Sequence, residues 1–156
     1  IRPNTGSVNT NAKRQSLIDY GIGMMDAATG IENIFLALYT KGFFKNEILK
    51  KIDWIIQFSE LKDSIHRPIR TYSTGMRIRL GISIILSQDF DILLVDEFFG
   101  HGDVQFVQKV RNFVIDKISK KNGSIAIATH DESIINSFCN RKITLNNGII
   151  ISDEKL

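Results

Sequence analysis

The order of apolar and polar residues along the first half of the chain predicts short strands and amphipathic helices. Two strands are predicted over 6–11 and 14–20, next to turn-forming Asn and Gly residues. A helix is predicted to begin at Thr29, because Thr29 and Glu32 form the Thr-x-x-Glu pattern of a capping box. A second helix is predicted over 45–58, where isoleucines recur at helical spacing among lysines.

The second half has the pattern of a strand, a helix and a further strand. Residues 91–97, DILLVDE, form a short apolar run typical of a strand buried on both faces of a parallel sheet. Asp103 is predicted to cap the next helix and Asn122-Gly123 to end it. The apolar stripe of this helix consists of Phe106, Val107, Val110, Phe113, Val114 and Ile118. With a second buried strand predicted over 124–129, this is a βαβ unit whose strands run parallel.

Two polar segments complete the pattern. Residues 62–72 contain Pro68 and predict a loop, after which Ser73 is predicted to cap a helix that begins near Thr74. The free N–H groups at this helix end, with Gly75 among them, form an anion site of the kind that binds phosphate. An ordinary N-cap is the alternative interpretation. The tail alternates around Asn147-Gly148 and predicts a terminal hairpin.

Composition limits the classes of protein. The chain has 156 residues, 43% hydrophobic and 24% charged, which is typical of one globular domain. Its net charge of +3 is spread along the sequence, so we expect no nucleic-acid partner. A single cysteine, Cys139, excludes an internal disulfide and favours a reducing compartment. No apolar run approaches the ~18 residues that span a bilayer, so membrane association is expected to come through a partner.

Polar side chains follow both buried strands of the βαβ unit. Asp96 and Glu97 end the first strand, and His130 follows the second. Open α/β sheets bind ligands at this edge, where one acid could face a hydrated Mg²⁺ and the next a water molecule, as phosphoryl transfer requires. The alternatives are that both acids cap the following turn and that His130 is a hydrogen-bonded structural residue.

Four motifs in this order carry a family resemblance: YSTGM (Tyr72 to Met76), ILLVDE, GHGD (Gly100 to Asp103) and ATHD. They resemble the signature motif, the Walker B strand, the D-loop and the switch histidine of the ATP-binding subunit of an ABC transporter. The resemblance implies an α/β, P-loop NTPase-like fold with a parallel sheet and a terminal β-hairpin. It also implies a helical subdomain over about 29–88 and a core part over about 89–156.

The resemblance assigns a role to each motif residue. Asp96 would bind Mg²⁺ through water, Glu97 would handle the attacking water, and His130 would contact the γ-phosphate of ATP. Such subunits form homodimers in which Tyr72, Ser73, Thr74, Gly75 and Met76 close over ATP held by the other copy, while Gly102 and Asp103 make contacts across the dimer. The implied partner is a transmembrane permease, which would hold the subunit at the cytoplasmic face of the plasma membrane.

Three departures from the family pattern refine this interpretation. The first is the sequence YSTGM, which is similar to the signature motif of the subfamily that exports polysaccharide, O-antigen and teichoic acid precursors. The second is the absence of the usual Q-loop glutamine, for which Asp19 is the candidate substitute. Third, the chain contains no G-x-x-x-x-G-K-[ST] loop, which in the family precedes this region. We therefore expect a partial, N-terminally truncated sequence that is inactive alone. A non-transport ABC-type ATPase and a non-catalytic docking fragment are the alternatives.

Overall fold

A parallel sheet with helices packed against it forms the centre of the protein. The computed structural model describes residues 3–9, 11–17, 23–96 and 103–156. The sheet has the order β1-β2-β3, with β1 at Arg14–Leu17, β2 at Ile92–Asp96 and β3 at Ser124–Ala128. The central strand β2 runs parallel to both neighbours, which confirms the predicted parallel sheet.

The helices connect these strands in chain order. Between β1 and β2 lie α1 (Gly30–Thr40), α2 (Lys45–Ser59) and α3 (Thr74–Leu86), and α4 (Val104–Lys121) joins β2 to β3. A short α5 (Glu132–Phe138) then leads to the antiparallel pair β4 (Arg141–Asn146) and β5 (Ile149–Lys155). Within the described ranges, no helix combines the length and the apolar character that crossing a bilayer requires.

Local signals placed most of the helix ends correctly. Thr29 and Glu32 form the predicted capping box: the Thr29 hydroxyl accepts from the Glu32 N–H at 3.2 Å, and the Glu32 carboxylate accepts from the Thr29 N–H at 2.7 Å. Asp103 caps α4 by accepting from the Gln105 N–H at 2.8 Å. Asn122 ends α4 in the left-handed conformation at φ 51°.

Helix α3 lies between two apolar clusters, because residues two apart on a helix face different sides. Leu80 and Ile84 pack with α1 and α2 in the first cluster. Ile82 and Leu86 pack with α4 and the sheet in the second. Helix α3 is therefore fixed from both sides, and so is the turn that precedes it.

Two of the predicted segments differ from the structure. Residues 6–9 are not a strand, and Gly6 has a φ of 80°, which strand backbone does not adopt. Residues 62–72 are not a simple loop, since they contain 3₁₀ helices at Lys62–His66 and Ile69–Thr71. Ile65 and Ile69 are buried in the first cluster, and this burial orders the segment.

The strand predicted over 124–129 as buried is covered on one face only by the residues that the structure describes. In β3, Ile125 and Ile127 pack against the second cluster, whereas Ser124, Ala126 and Ala128 are exposed. One face of β3 is therefore covered in the described part of the chain, and the other is not. The predicted hairpin is confirmed, with Asn147 and Gly148 at φ 47° and 79°, as the two-residue turn between β4 and β5 requires.

Candidate functional site

Residues 72–76, which we call the signature turn, lead into α3. Ser73 is the N-cap of α3, as predicted, and its Oγ accepts from the Met76 N–H at 3.2 Å. The side of the turn at Gly75 is open: a Cβ added there would meet only the Ser73 Oγ, at 3.9 Å. The first-turn N–H groups of a helix lack partners inside the helix, so this open, positive end suits an anionic group such as phosphate.

The Tyr72 side chain anchors the turn from inside. Tyr72 is buried, and its hydroxyl donates to the Ser64 carbonyl at 2.7 Å. Burial raises the pKa of the Tyr72 hydroxyl, which therefore stays protonated. The Ser73, Thr74 and Gly75 positions are exposed, so these residues face solvent while Tyr72 holds the turn on the core.

A pocket of about 330 Å³ brings the signature turn together with the start of α4. Ser73, Gly75 and Met76 of the turn line this pocket together with Asp103. The structure therefore places three of the five predicted signature residues and one predicted D-loop residue beside the same pocket. The remaining lining residues are Glu60, Leu61, Ser64 and Arg79.

Sequence reasoning missed a network of ionic side chains in this pocket. Arg79 donates to Glu60 at 3.0 Å and also to Asp103. Lys109 donates to the other Glu60 oxygen at 2.7 Å. The Lys109 hydrogen bond lowers the pKa of Glu60, and the Gln105 N–H lowers the pKa of Asp103, so both acids are ionised at neutral pH. These partners lie 19 and 24 positions from Arg79, beyond the range of any local pattern.

Two other predicted residues lie at the carboxyl edge of the sheet. Asp96 is the exposed last residue of β2 and pairs with Ala128, so β2 and β3 end together and His130 follows two residues later. This arrangement puts Asp96 and His130 at the edge where parallel sheets bind ligands. Within the described ranges, no group of three His, Cys, Asp or Glu side chains is placed to hold a metal ion. Glu97, Gly102 and Asp19 lie outside the described residues.

Gln15 is the glutamine nearest to the Q-loop region in the sequence, and its side chain forms a hydrogen bond within the chain. Its Nε2 donates to the Gln88 Oε1 at 2.9 Å. Both residues lie in the wall of a second cavity, of about 590 Å³, between the end of β1 and helices α1 and α3.

Comparison with known proteins tests the family resemblance. No family model matches the chain. It is 36% identical over 147 residues to the O-antigen export system ATP-binding protein RfbB of Klebsiella pneumoniae, covering 94% of this chain and 59% of that protein. It is 38% identical over 148 residues to the teichoic acids export ATP-binding protein TagH of Lactococcus lactis, covering 95% of this chain and 31% of that protein. This similarity confirms the resemblance to ABC transporter ATP-binding subunits that the four motifs indicated.

The fold of the chain agrees with this resemblance. An ATP-binding cassette solved as a dimer in a post-hydrolysis state with ADP and Pi matches with a TM-score of 0.70 at 22% identity, over 92% of this chain and 62% of that one. This likeness shows the α/β fold of ABC ATPase domains. The chain spans between about a third and three fifths of the length of the two export proteins it matches.

Proposed function

We propose that the chain is part of the ATP-hydrolysing subunit of an ABC exporter for polysaccharide, O-antigen or teichoic acid. The observation that carries the proposal is the signature turn: Ser73 caps α3 beside an open Gly75, in a pocket shared with Asp103. The relatives support this proposal, because they are export ATP-binding proteins that match almost the whole chain.

The fit to ATP rests on the chemistry of the turn. A serine hydroxyl and free helix N–H groups are donors for phosphate oxygens, and a glycine leaves room for them to approach the backbone. In the proposed homodimer, Ser73, Thr74 and Gly75 of one copy would hold the γ-phosphate of ATP that is bound mainly by the other copy. Tyr72 and Met76 would support the turn from the core side.

The residues of the other three motifs would carry the chemical step and contact the other copy. Asp96 would hold Mg²⁺ through water, and the ion would neutralise charge on the phosphates. Glu97 would orient a water molecule and accept its proton as the water attacks the γ-phosphate, which leaves ADP as the other product. His130 would donate a hydrogen bond to the phosphate oxygens, and Gly102 and Asp103 would contact the other copy.

The nucleotide cradle and the partners complete the proposal. A P-loop on a segment N-terminal to this chain would bind most of the ATP, so the 156-residue chain alone would not hydrolyse it. A transmembrane permease would hold the subunit at the cytoplasmic face of the plasma membrane. Asp19 would take the position of the Q-loop glutamine, residues from about 29 to 88 would form the helical subdomain, and residues from about 89 to 156 would complete the core.

ATP turnover by a full-length subunit that contains this chain tests the proposal. We expect turnover by the full-length subunit and none by the 156-residue chain. Glu97→Gln should lower kcat by ~10²–10⁴, as loss of a positioned general base does. Glu132→Gln is the matched control, because Glu132 is an exposed acid paired with Lys142 at 2.6 Å. A full-length subunit without turnover would contradict the proposal, and so would turnover that Glu97→Gln leaves unchanged.

A further inference from the structure

Arg79 connects the starts of two helices that both lead out of the proposed site. Helix α3 begins at the signature turn, and α4 begins at Asp103. From α3, Arg79 Nη1 donates to Glu60 Oε2 at 3.0 Å, and Nη2 donates to Asp103 Oδ2. The planar guanidinium suits two acids at once, because its donors have fixed directions.

Each acid also has a second partner, which fixes its position. The Glu60 Oε1 accepts from Lys109 at 2.7 Å, and the Asp103 Oδ1 accepts from the Gln105 N–H at 2.8 Å. The guanidinium carbon of Arg79 also lies 5.2 Å from the centre of the Phe106 ring on α4. Arg79 therefore contacts α4 in two ways, by charge at Asp103 and by its face at Phe106.

The neighbouring arginine of α3 shows that this link depends on position. Arg77 lies two residues earlier, and its guanidinium pairs with Asp26 at 2.6 Å, in the segment before α1. Both arginines are partly buried, with 34% of the Arg77 side chain and 23% of the Arg79 side chain exposed. In the ion pairs of the described residues, Arg79 therefore reaches Asp103 and Arg77 does not.

We propose that Arg79 is a positioning residue that holds the signature turn and the D-loop aspartate, Asp103, in one fixed arrangement. The inference rests on the proposed function, in which these two segments act together across the dimer. A single exposed ion pair contributes little, but a guanidinium shared between two anchored carboxylates is more restricted in geometry. Loss of Arg79 would let the two segments move independently, so fewer dimers would reach the arrangement that hydrolyses ATP.

Kinetics of the full-length subunit tests this role. Arg79→Gln should lower kcat about fivefold or more, which corresponds to ~1 kcal/mol, and should leave the KM for ATP unchanged. We expect an unchanged KM because Arg79 does not belong to the proposed P-loop, which would bind most of the ATP. Arg79→Lys should recover little of the loss, since an ammonium group cannot bridge two acids with fixed geometry. Arg77→Gln is the matched control and should leave kcat near the parental value.

A double-variant cycle separates positioning from an independent effect. If Arg79 acts through Asp103, the variant with both Arg79→Gln and Asp103→Asn should be no slower than Asp103→Asn alone. The inference would be overturned if the losses in kcat of the two single variants multiplied in the double variant. It would also be overturned if Arg79→Gln raised the KM for ATP. If the Arg79→Gln variant does not fold, Glu60→Gln is the substitute, because it removes one of the two acids that hold Arg79. Glu60→Gln should then lower kcat and leave KM unchanged. A Glu60→Gln subunit with the kcat and KM of the parent would overturn the inference.

Hydrogen exchange on the 156-residue chain distinguishes failure of this inference from failure of the proposed function. Arg79→Gln should increase exchange in the first turns of both α3 and α4, whereas Arg77→Gln should affect α3 alone. Unchanged exchange at α4 would overturn the link between the two segments. A parental full-length subunit without ATP turnover would overturn the proposed function, while the exchange result would still decide whether Arg79 joins the two helix starts.

Discussion

Alanine substitution should destabilise the chain at Gly30 but not at Gly75, although both glycines lie in the first turn of a helix. A Cβ on Gly30 would lie 2.5 Å from the Tyr72 hydroxyl and 2.9 Å from the Ile65 carbonyl oxygen. A Cβ on Gly75 would have no neighbour closer than 3.9 Å. Alanine is favoured over glycine in a helix by up to ~1 kcal/mol, so the crowding at Gly30 decides the sign there.

The crowding at Gly30 cannot be relieved at low cost. Tyr72 and Ile65 are 7% and 1% exposed, and the Tyr72 hydroxyl is held by Ser64 at 2.7 Å. Overpacking of this kind costs ~1–3 kcal/mol, and loss of the Tyr72 hydrogen bond adds ~1 kcal/mol. We therefore expect Gly30→Ala to lower the free energy of unfolding by about 1–3 kcal/mol after the gain in helix propensity.

Urea unfolding of the 156-residue chain, followed by far-ultraviolet circular dichroism, measures both effects. Gly75→Ala should leave the chain as stable as the parent or raise the free energy of unfolding by up to ~1 kcal/mol. It should nevertheless weaken ATP-dependent closure in the full-length subunit, because its methyl group occupies the open side of the signature turn. A folded Gly30→Ala chain at least as stable as the parent would refute the packing argument.

Two further predictions concern the core beside the signature turn and the far end of α3. Tyr72→Phe should lower the free energy of unfolding by ~1 kcal/mol in the parent and by less in the Gly30→Ala variant, because both changes act on the same hydroxyl. Equal losses in the two proteins, measured by urea unfolding, would contradict this coupling. Burial lowers the pKa of Lys117 from 10.5 to about 8. Between these values the unfolded chain binds the proton that the folded chain has lost, so the free energy of unfolding should rise from pH 8 to pH 10 relative to Lys117→Met. If the free energies of unfolding of the two proteins changed with pH in the same way, the lowered pKa of Lys117 would be contradicted.

Local chemistry in the sequence was sufficient to predict the helix starts and the turns. The capping box at Thr29, the caps at Ser73 and Asp103, and the Asn147-Gly148 turn each involve residues within a few positions of one another. Such short-range hydrogen bonds depend little on the rest of the fold, and their residue types are therefore informative on their own.

Features that depend on distant parts of the chain could not be predicted in this way. Residues 62–72 contain a proline and polar side chains, yet the burial of Ile65 and Ile69 in the first cluster orders the segment. An apolar run such as that of β3 does not show which of its faces is covered, because covering depends on what packs against the sheet. The bridge from Arg79 to Glu60 and Asp103 exists only after α2, α3 and α4 have packed.

ATP-dependent dimerisation of a full-length Glu97→Gln subunit tests the central claim most directly, because it requires the signature turn to act on ATP and Glu97 to act on water. Size-exclusion chromatography in ATP and Mg²⁺ should show a dimer that reverts to monomer without nucleotide. Adding Ser73→Arg should abolish the dimer, because the arginine side chain fills the pocket beside Gly75. A Glu97→Gln subunit that stays folded, remains monomeric in ATP and hydrolyses ATP at the parental rate would contradict the account.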